Sequence, residues 1–137
     1  MPKIFPAMKA VIVNDEKFLI IRQKIGETAI WDLPGGKIEY DENPYDALFR
    51  EVKEETCLQI EIIKPLGVFW YYRIENKDQV ICNTFLCKIK DNNFIIKNSG
   101  VGDKIDEFKW VTKKEFLSGV YNESPESLKR LIETLKI

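Results

Sequence analysis

Residues 36–58 read Gly36-Lys37-Ile38-Glu39-Tyr40-Asp41-Glu42-Asn43-Pro44-Tyr45-Asp46-Ala47-Leu48-Phe49-Arg50-Glu51-Val52-Lys53-Glu54-Glu55-Thr56-Cys57-Leu58. A glycine turn leads through the isolated Glu42 into a helix, with Asn43 as its N-cap and Pro44 at its first position, where a missing N–H costs nothing. At about 100° per residue, Tyr45, Leu48, Phe49 and Val52 form one apolar stripe that should face a core. Glu51, Glu54 and Glu55 fall within an arc of about 100° beside that stripe. Residues three and four apart are neighbours on a helix surface, so these carboxylates repel one another. A hard divalent cation, Mg²⁺ or Mn²⁺, would relieve the repulsion, and Mg²⁺ binds through one or two carboxylates together with substrate phosphates. The charges alone admit a plainer reading, a solvated Glu-rich face with Arg50 paired to Glu54 for about 0.2–0.5 kcal/mol.

The spacing distinguishes the two. The chain resembles the Nudix hydrolase family, whose signature is Gly, five residues, Glu, seven residues, then Arg-Glu-apolar-any-Glu-Glu-any-Gly-apolar. Gly36, Glu42, Arg50, Glu51, Val52, Glu54, Glu55 and Leu58 stand at those spacings. The preceding Trp31-Asp32-Leu33-Pro34-Gly35-Gly36 also looks like the family lead-in. The departure is Cys57 in place of the last Gly, a position that usually caps a helix in the left-handed conformation. A residue with a Cβ loses about 1–2 kcal/mol there. Cys57 either carries that strain or the last turn closes differently. Asp41, where many members have Gly, is likewise a turn position.

The resemblance implies an α/β/α sandwich with a mixed sheet between helices. It also implies metal-dependent hydrolysis of a nucleoside diphosphate linked to a group X, and the short chain is most similar to the branch acting on nucleoside triphosphates. In that reading Glu51, Glu54 and Glu55 hold Mg²⁺ or Mn²⁺ with the Gly35 carbonyl, Arg50 orients the glutamates, and Glu42 supports the turn. Which glutamate is the general base stays open. Some members use an acid from a later loop, and here Glu107 is the candidate, with Asp103 and Asp106 behind it. The proline typical of the ADP-ribose branch is missing from Trp70–Glu75, Pro65 coming too early. Tyr71 and Tyr72 lie near the tyrosine of the branch that cleaves dinucleoside polyphosphates.

For substrate, Arg22, Lys24, Lys37 and Arg73 are candidate phosphate contacts, Arg22 and Lys37 foremost. Trp31, Phe69, Trp70, Tyr71 and Tyr72 are candidate stacking surfaces, Tyr72 among the substrate-binding set. Aromatics on strands usually belong to the core, so one or two of them should face a ligand.

The 137 residues, 45% of them apolar, suit one domain over 1–137. A net charge of −1 without a basic run argues against nucleic acid polymers as partners. The apolar runs are too short to span a bilayer, and the N-terminus has no secretory pattern. Cys57, Cys82 and Cys87, odd in number and without zinc spacing, read as reduced thiols of a cytoplasmic protein. The chain has no histidine, so His triads and His metal sites are excluded.

Strands are expected at Met8–Val13, Phe18–Arg22, Leu58–Ile63, Gly67–Ile74, Val80–Ile89 and Phe108–Val111, with a short one at Phe94–Ile96. Turns are expected at Asn14–Lys17 and Asn76–Gln79, and a loop bordering the site at Asn98–Gly102. A helix is expected over Pro44–Thr56 and a helical turn over Lys113–Ser118. Ser124-Pro125 should cap a last helix with Leu128, Leu131, Ile132 and Leu135 on one face. Two other functional classes fit the same residues. A catalytically weak nucleotide sensor would bind without cleaving, and a docking protein would use its acidic helix on a basic partner without metal. Homodimers are common in the family, but no stripe marks an interface.

Overall fold

The apolar run around Met8–Val13 becomes the middle of the sheet, buried on both faces, which is why it reads as continuous rather than alternating. In the computed structural model the described residues are all but 26, 27, 92, 99 and 101–104, with residue 25 described by its backbone alone. The elements are β1 (Ile4–Asn14), β2 (Lys17–Ile25), β3 (Thr28–Asp32), β4 (Gly35–Lys37), α1 (Pro44–Thr56), β5 (Ile60–Tyr72), β6 (Gln79–Ile89), β7 (Ile105–Val111), α2 (Lys113–Phe116) and α3 (Glu126–Glu133).

The strands join in one mixed sheet, ordered β3-β2-β1-β6-β5, with β4 pairing β1 and β7 pairing β2. β1 runs parallel to β6, whereas its pairings with β2 and β4 are antiparallel. One face carries Met8, Ala10, Ile12 and Leu19 against Leu48 and Val52 of α1. The other carries Ala7, Val11, Phe18 and Ile20 against Leu128, Leu131, Ile132 and Leu135 at the C-terminal end. The result is the expected α/β/α sandwich.

Four local expectations are corrected. Leu58–Ile63 and Gly67–Ile74 are not two strands but overlap the single β5, which starts at Ile60, ends at Tyr72 and is interrupted by irregularities at Ile62/Lys64 and Pro65/Gly67. β5 lies at the sheet edge, where a proline and a bulge cost little ladder pairing. Phe94–Ile96 forms no strand. Its Phe94 and Ile96 pack onto the α1-side core, and the Lys97 N–H donates to the Thr56 carbonyl at 3.1 Å. Of the α1 stripe, Leu48 and Val52 are fully buried, but Tyr45 and Phe49 are 52% and 38% exposed. Ser124 does not cap α3, which begins from Pro125 without a side-chain cap. The short β3 and β4, which flank the turn at Leu33-Pro34, went unread in the sequence because neither shows a period.

α1 begins as its sequence requires. The Asn43 side chain accepts from the Tyr45 and Asp46 N–H groups at 2.9 and 3.4 Å. At the other end Cys57 sits at φ 62°, ψ 15°, its N–H donating to the Lys53 carbonyl, so it carries the left-handed strain. The three cysteines are free, and burial pushes the Cys82 and Cys87 thiols up to about 12, leaving them protonated and unreactive. No helix among the described residues is long and apolar enough to cross a membrane.

Cys57→Gly tests the strained cap. Relief of about 1–2 kcal/mol, less about 0.4–1 kcal/mol for the freer unfolded chain, should leave a net gain of about 0.5–1 kcal/mol. A higher urea midpoint with unchanged slope is the expected result, and a lower midpoint would mean the thiol packs better than the cap suffers.

Candidate active site

The loop before α1 and the helix itself are tied together by one guanidinium. Arg50 donates from Nε to Glu42 Oε2 at 2.7 Å and from Nη2 to Glu42 Oε1 at 3.0 Å, a bidentate pair. Its Nη1 reaches Glu51 Oε1 at 3.1 Å and both Glu54 oxygens at 3.5 Å, and its Nη2 meets the Lys37 carbonyl at 3.5 Å. Glu42 in turn accepts from the Glu39 N–H at 3.1 Å, across a turn in which Asp41 adopts φ 66°. The Arg50 hydrogen bond, then the Glu39 N–H, lowers the pKa of Glu42 below the usual carboxylate range. The same pairing raises that of Arg50 further above its ordinary value. A depressed carboxylate stabilises the fold above its unfolded pKa, so this clamp is complete at neutral pH and is lost as acid titrates Glu42.

Glu51 and Glu55 meet the glycine pair from different sides. The Glu51 carboxylate lies over Gly36, where an added Cβ would stand 2.6 Å from it. Gly36 is therefore the space into which Glu51 fits. Glu55, 1% exposed, accepts from the Gly35 N–H at 2.7 Å and from Gln23 Nε2 at 3.4 Å. Gly35 is held at φ +134°, and a Cβ there would run into the Met8 carbonyl, so only glycine fits.

A third layer lies beneath. Lys9 on β1 is 2% exposed and is the one buried lysine or arginine among the described residues. Its ammonium pairs with Asp32 Oδ2 at 2.9 Å and donates to the Leu33 and Gly35 carbonyls, both at 3.3 Å. Burial alone would lower its pKa, but Asp32, with smaller help from Tyr71, Cys82 and Glu55, raises it well above the lysine value. Asp32 also accepts from the Leu33 N–H at 2.7 Å, and the Ala10 N–H donates to the Pro34 carbonyl at 2.9 Å. Lys9 and Gln23 were not singled out from the sequence, and Asp32 entered only as part of the lead-in, without a role. The available signal was a lone lysine within the apolar run Met8–Val13.

These groups border a cavity of about 680 Å³, within the usual range for a small-molecule site. Lys9, Gly35, Gly36, Lys37 and Glu51 line one part of it, and the lining also includes Lys24, Ile30, Tyr71, Tyr72, Arg73 and Asn122–Pro125. Arg73 Nε and Ser124 Oγ are buried there with no hydrogen-bond partner among the described residues.

The expected residues divide accordingly. Gly35, Lys37, Arg50, Glu51, Glu54 and Glu55 are brought together, and Lys24, Lys37, Tyr71, Tyr72 and Arg73 line the cavity. Arg22 does not line it, since its guanidinium pairs with Asp106 at 2.9 Å. Glu107 sits opposite Arg22 on β7, half exposed and 3.9 Å from Lys109, also off the cavity lining. Asp103 and most of the Asn98–Gly102 loop lie outside the described residues. Trp31 and Phe69 are core residues, and Trp70 lies on a neighbouring groove with Tyr72 and Arg130.

As the side chains stand, no three carboxylates among the described residues converge on a metal position. Arg50 draws Glu51 and Glu54, while Gly35 draws Glu55. The donor set nonetheless fits a hard cation. It offers several carboxylates on one helix side, with Glu51 admitted to the cavity by the bare Gly36.

Comparison with known proteins agrees with the fold. The family model described as the NUDIX domain matches residues 3–133. An RNA pyrophosphohydrolase of Ruthia magnifica subsp. Calyptogena magnifica is 31% identical over 115 residues, 74% of this chain and 64% of that protein. A MutT-like protein of Streptomyces ambofaciens is 39% identical over 59 residues, 43% of this chain and 37% of its own. The chain thus spans less than two thirds of the length of either relative. Among solved structures, the MutT protein from Methanosarcina mazei Go1 superposes with a TM-score of 0.80, covering 96% of this chain and 92% of that one at 24% identity. The fold agrees over nearly the whole chain and the family match spans both the glycine pair and the Arg50–Glu55 cluster, so the chain belongs to the Nudix (MutT-like) hydrolase family.

Proposed function

We propose that the protein hydrolyses the pyrophosphate linkage of a nucleoside diphosphate derivative, with nucleoside triphosphates as its substrate class. Water adds to one phosphorus and the bridging oxygen leaves with the other, giving a nucleoside monophosphate and X-phosphate, or pyrophosphate when the substrate is a triphosphate. The observation that carries this reading is the Glu51 carboxylate lodged over Gly36 at the edge of a cavity of nucleotide size.

Glu51, Glu54 and Glu55, with the Gly35 carbonyl, would hold Mg²⁺ or Mn²⁺. When bound, such an ion neutralises phosphate charge and lowers the pKa of a water. The chain's own residues supply the rest. Arg50 keeps Glu51 and Glu54 in register with the Glu42 loop. Lys37 and Arg73 offer positive charge to phosphate oxygens, and Tyr72, 61% exposed, offers a ring for a base. Glu51 lines the cavity and Glu107 does not, which favours Glu51 as the carboxylate that meets the reacting water. A nucleotide sensor would have little use for three clustered glutamates.

A nucleotide panel in Mg²⁺ and in Mn²⁺ tests the function. It should include oxidised triphosphates, ADP-ribose, nucleotide sugars, dinucleoside polyphosphates and a 5′-triphosphorylated RNA, the last because relatives are named RNA pyrophosphohydrolases. Metal-dependent release of a nucleoside monophosphate is expected, abolished by chelator and by Glu54→Gln/Glu55→Gln. Binding without cleavage would transfer the protein to the sensor class, and selective cleavage of the RNA would displace the triphosphate assignment.

A second measurement separates the carboxylates. Glu51→Gln should lower kcat by about 100-fold or more, the scale of a lost general base. Glu107→Gln should remain within about threefold of wild type, as expected of an exposed residue off the cavity. The reverse order would assign the base to β7.

A further inference from the structure

Gly35 is gripped at both ends by opposite charges. Its N–H donates to the buried Glu55 carboxylate at 2.7 Å, and its carbonyl accepts from the buried Lys9 ammonium at 3.3 Å. A glycine at φ +134° lacks the steric walls that lock other residues, so its peptide groups are the joints most able to reorient. Reorientation here would remove the Gly35 N–H from Glu55 or turn the Gly35 carbonyl away. Neither charge belongs to a flexible surface arm. Lys9 is a central-strand residue directly across the β1–β4 ladder from Gly35, and Glu55 is in the last turn of α1.

A buried lysine is costly to desolvate, and its net effect on stability is close to that of apolar residues of similar size. Packing therefore does not account for it. The carbonyls it reaches do: Leu33 and Gly35 flank Pro34 in the loop that presents the glycine pair to the cavity. Asp32 holds the ammonium at 2.9 Å while accepting the Leu33 N–H, closing the loop on itself.

We propose that Lys9, oriented by Asp32, is a positioning residue that holds the Leu33 and Gly35 carbonyls on either side of the Pro34–Gly35 amide and so keeps the Gly35 N–H on the Glu55 carboxylate, so that cation and phosphate meet a preset rim. This rests on the hydrolase reading for its consequence but not for its geometry. Lys9 touches no substrate in this role and acts through Gly35.

The decisive variant is Lys9→Met/Asp32→Asn, which removes both buried charges and leaves residue 32 able to accept from Leu33. Lys9→Met alone strands the Asp32 carboxylate and is expected to fold less well than the pair. In the double variant we expect a folded protein whose Gly35 amide resonance moves upfield and exchanges faster. Mn²⁺ binding, titrated without nucleotide, should weaken at least about tenfold, as for groups that orient metal ligands elsewhere. In turnover, kcat should fall about 10- to 100-fold, with KM within about threefold. A double variant with unaltered Gly35 amide and Mn²⁺ affinity within twofold of wild type would overturn the proposal, leaving the pair a fold element only. The amide and its exchange judge Lys9 even if the wild type cleaves nothing on the panel, so the two readings fail separately.

Discussion

The structure around the site depends on placing like charges together around one guanidinium, Arg50, carried on the same helix. Four carboxylates, Glu42, Glu51, Glu54 and Glu55, are confined to one loop and one helical side. Each is answered by a specific donor. Arg50 spans three of them in a fork that a lysine's point charge could not reproduce. The fourth, Glu55, is too deep for Arg50 and is met instead by a backbone N–H and the Gln23 amide. The arrangement sets the loop against the helix and leaves Glu51 at the cavity.

The glycine pair follows from that constraint. Gly36 is bare because Glu51 fills the space, and Gly35 is bare because β1 runs too close. Thus two adjacent glycines serve two different neighbours, one a side chain and one a backbone. The Lys9–Asp32 pair holds the carbonyl of Gly35 while Glu55 accepts its N–H, so the rim is supported from the sheet as well as from the helix. The sandwich supplies the rigidity: α1 packs on one sheet face through Leu48 and Val52, and the cavity lies toward the opposite face beside the start of α3.

Much of this was legible in the residues. The extent of α1, its Asn43 cap and its Pro44 start were all local, written in neighbouring side chains and short-range hydrogen bonds, whereas the end at Cys57 was open between a strained left-handed cap and a different last turn until the structure gave the cap. The carboxylate cluster was legible for the same reason, since helical spacing converts sequence separation into angle. The apolar face of α3, Leu128, Leu131 and Ile132, was legible by its period, though Leu135 falls just past the helix end. β5 was not, because Pro65 and Gly67 look like an ending unless the strand is known to be an edge.

What the tertiary structure alone decided is which distant residues share a space. Lys9 and Asp32 are 23 positions apart and meet because β1 sits beside the loop leading into β4. Arg22, a reasonable phosphate contact in one dimension, is taken by Asp106, 84 positions on, through the pairing of β2 with β7. Tyr72 and Arg73 reach the cavity while Trp31 and Phe69 enter the core, a division that aromatic character does not foretell. The sequence by itself determined the helix, its N-cap and the chemistry on its surface, because those interactions span a few residues. Long-range strand order determined which charges that chemistry would find opposite it.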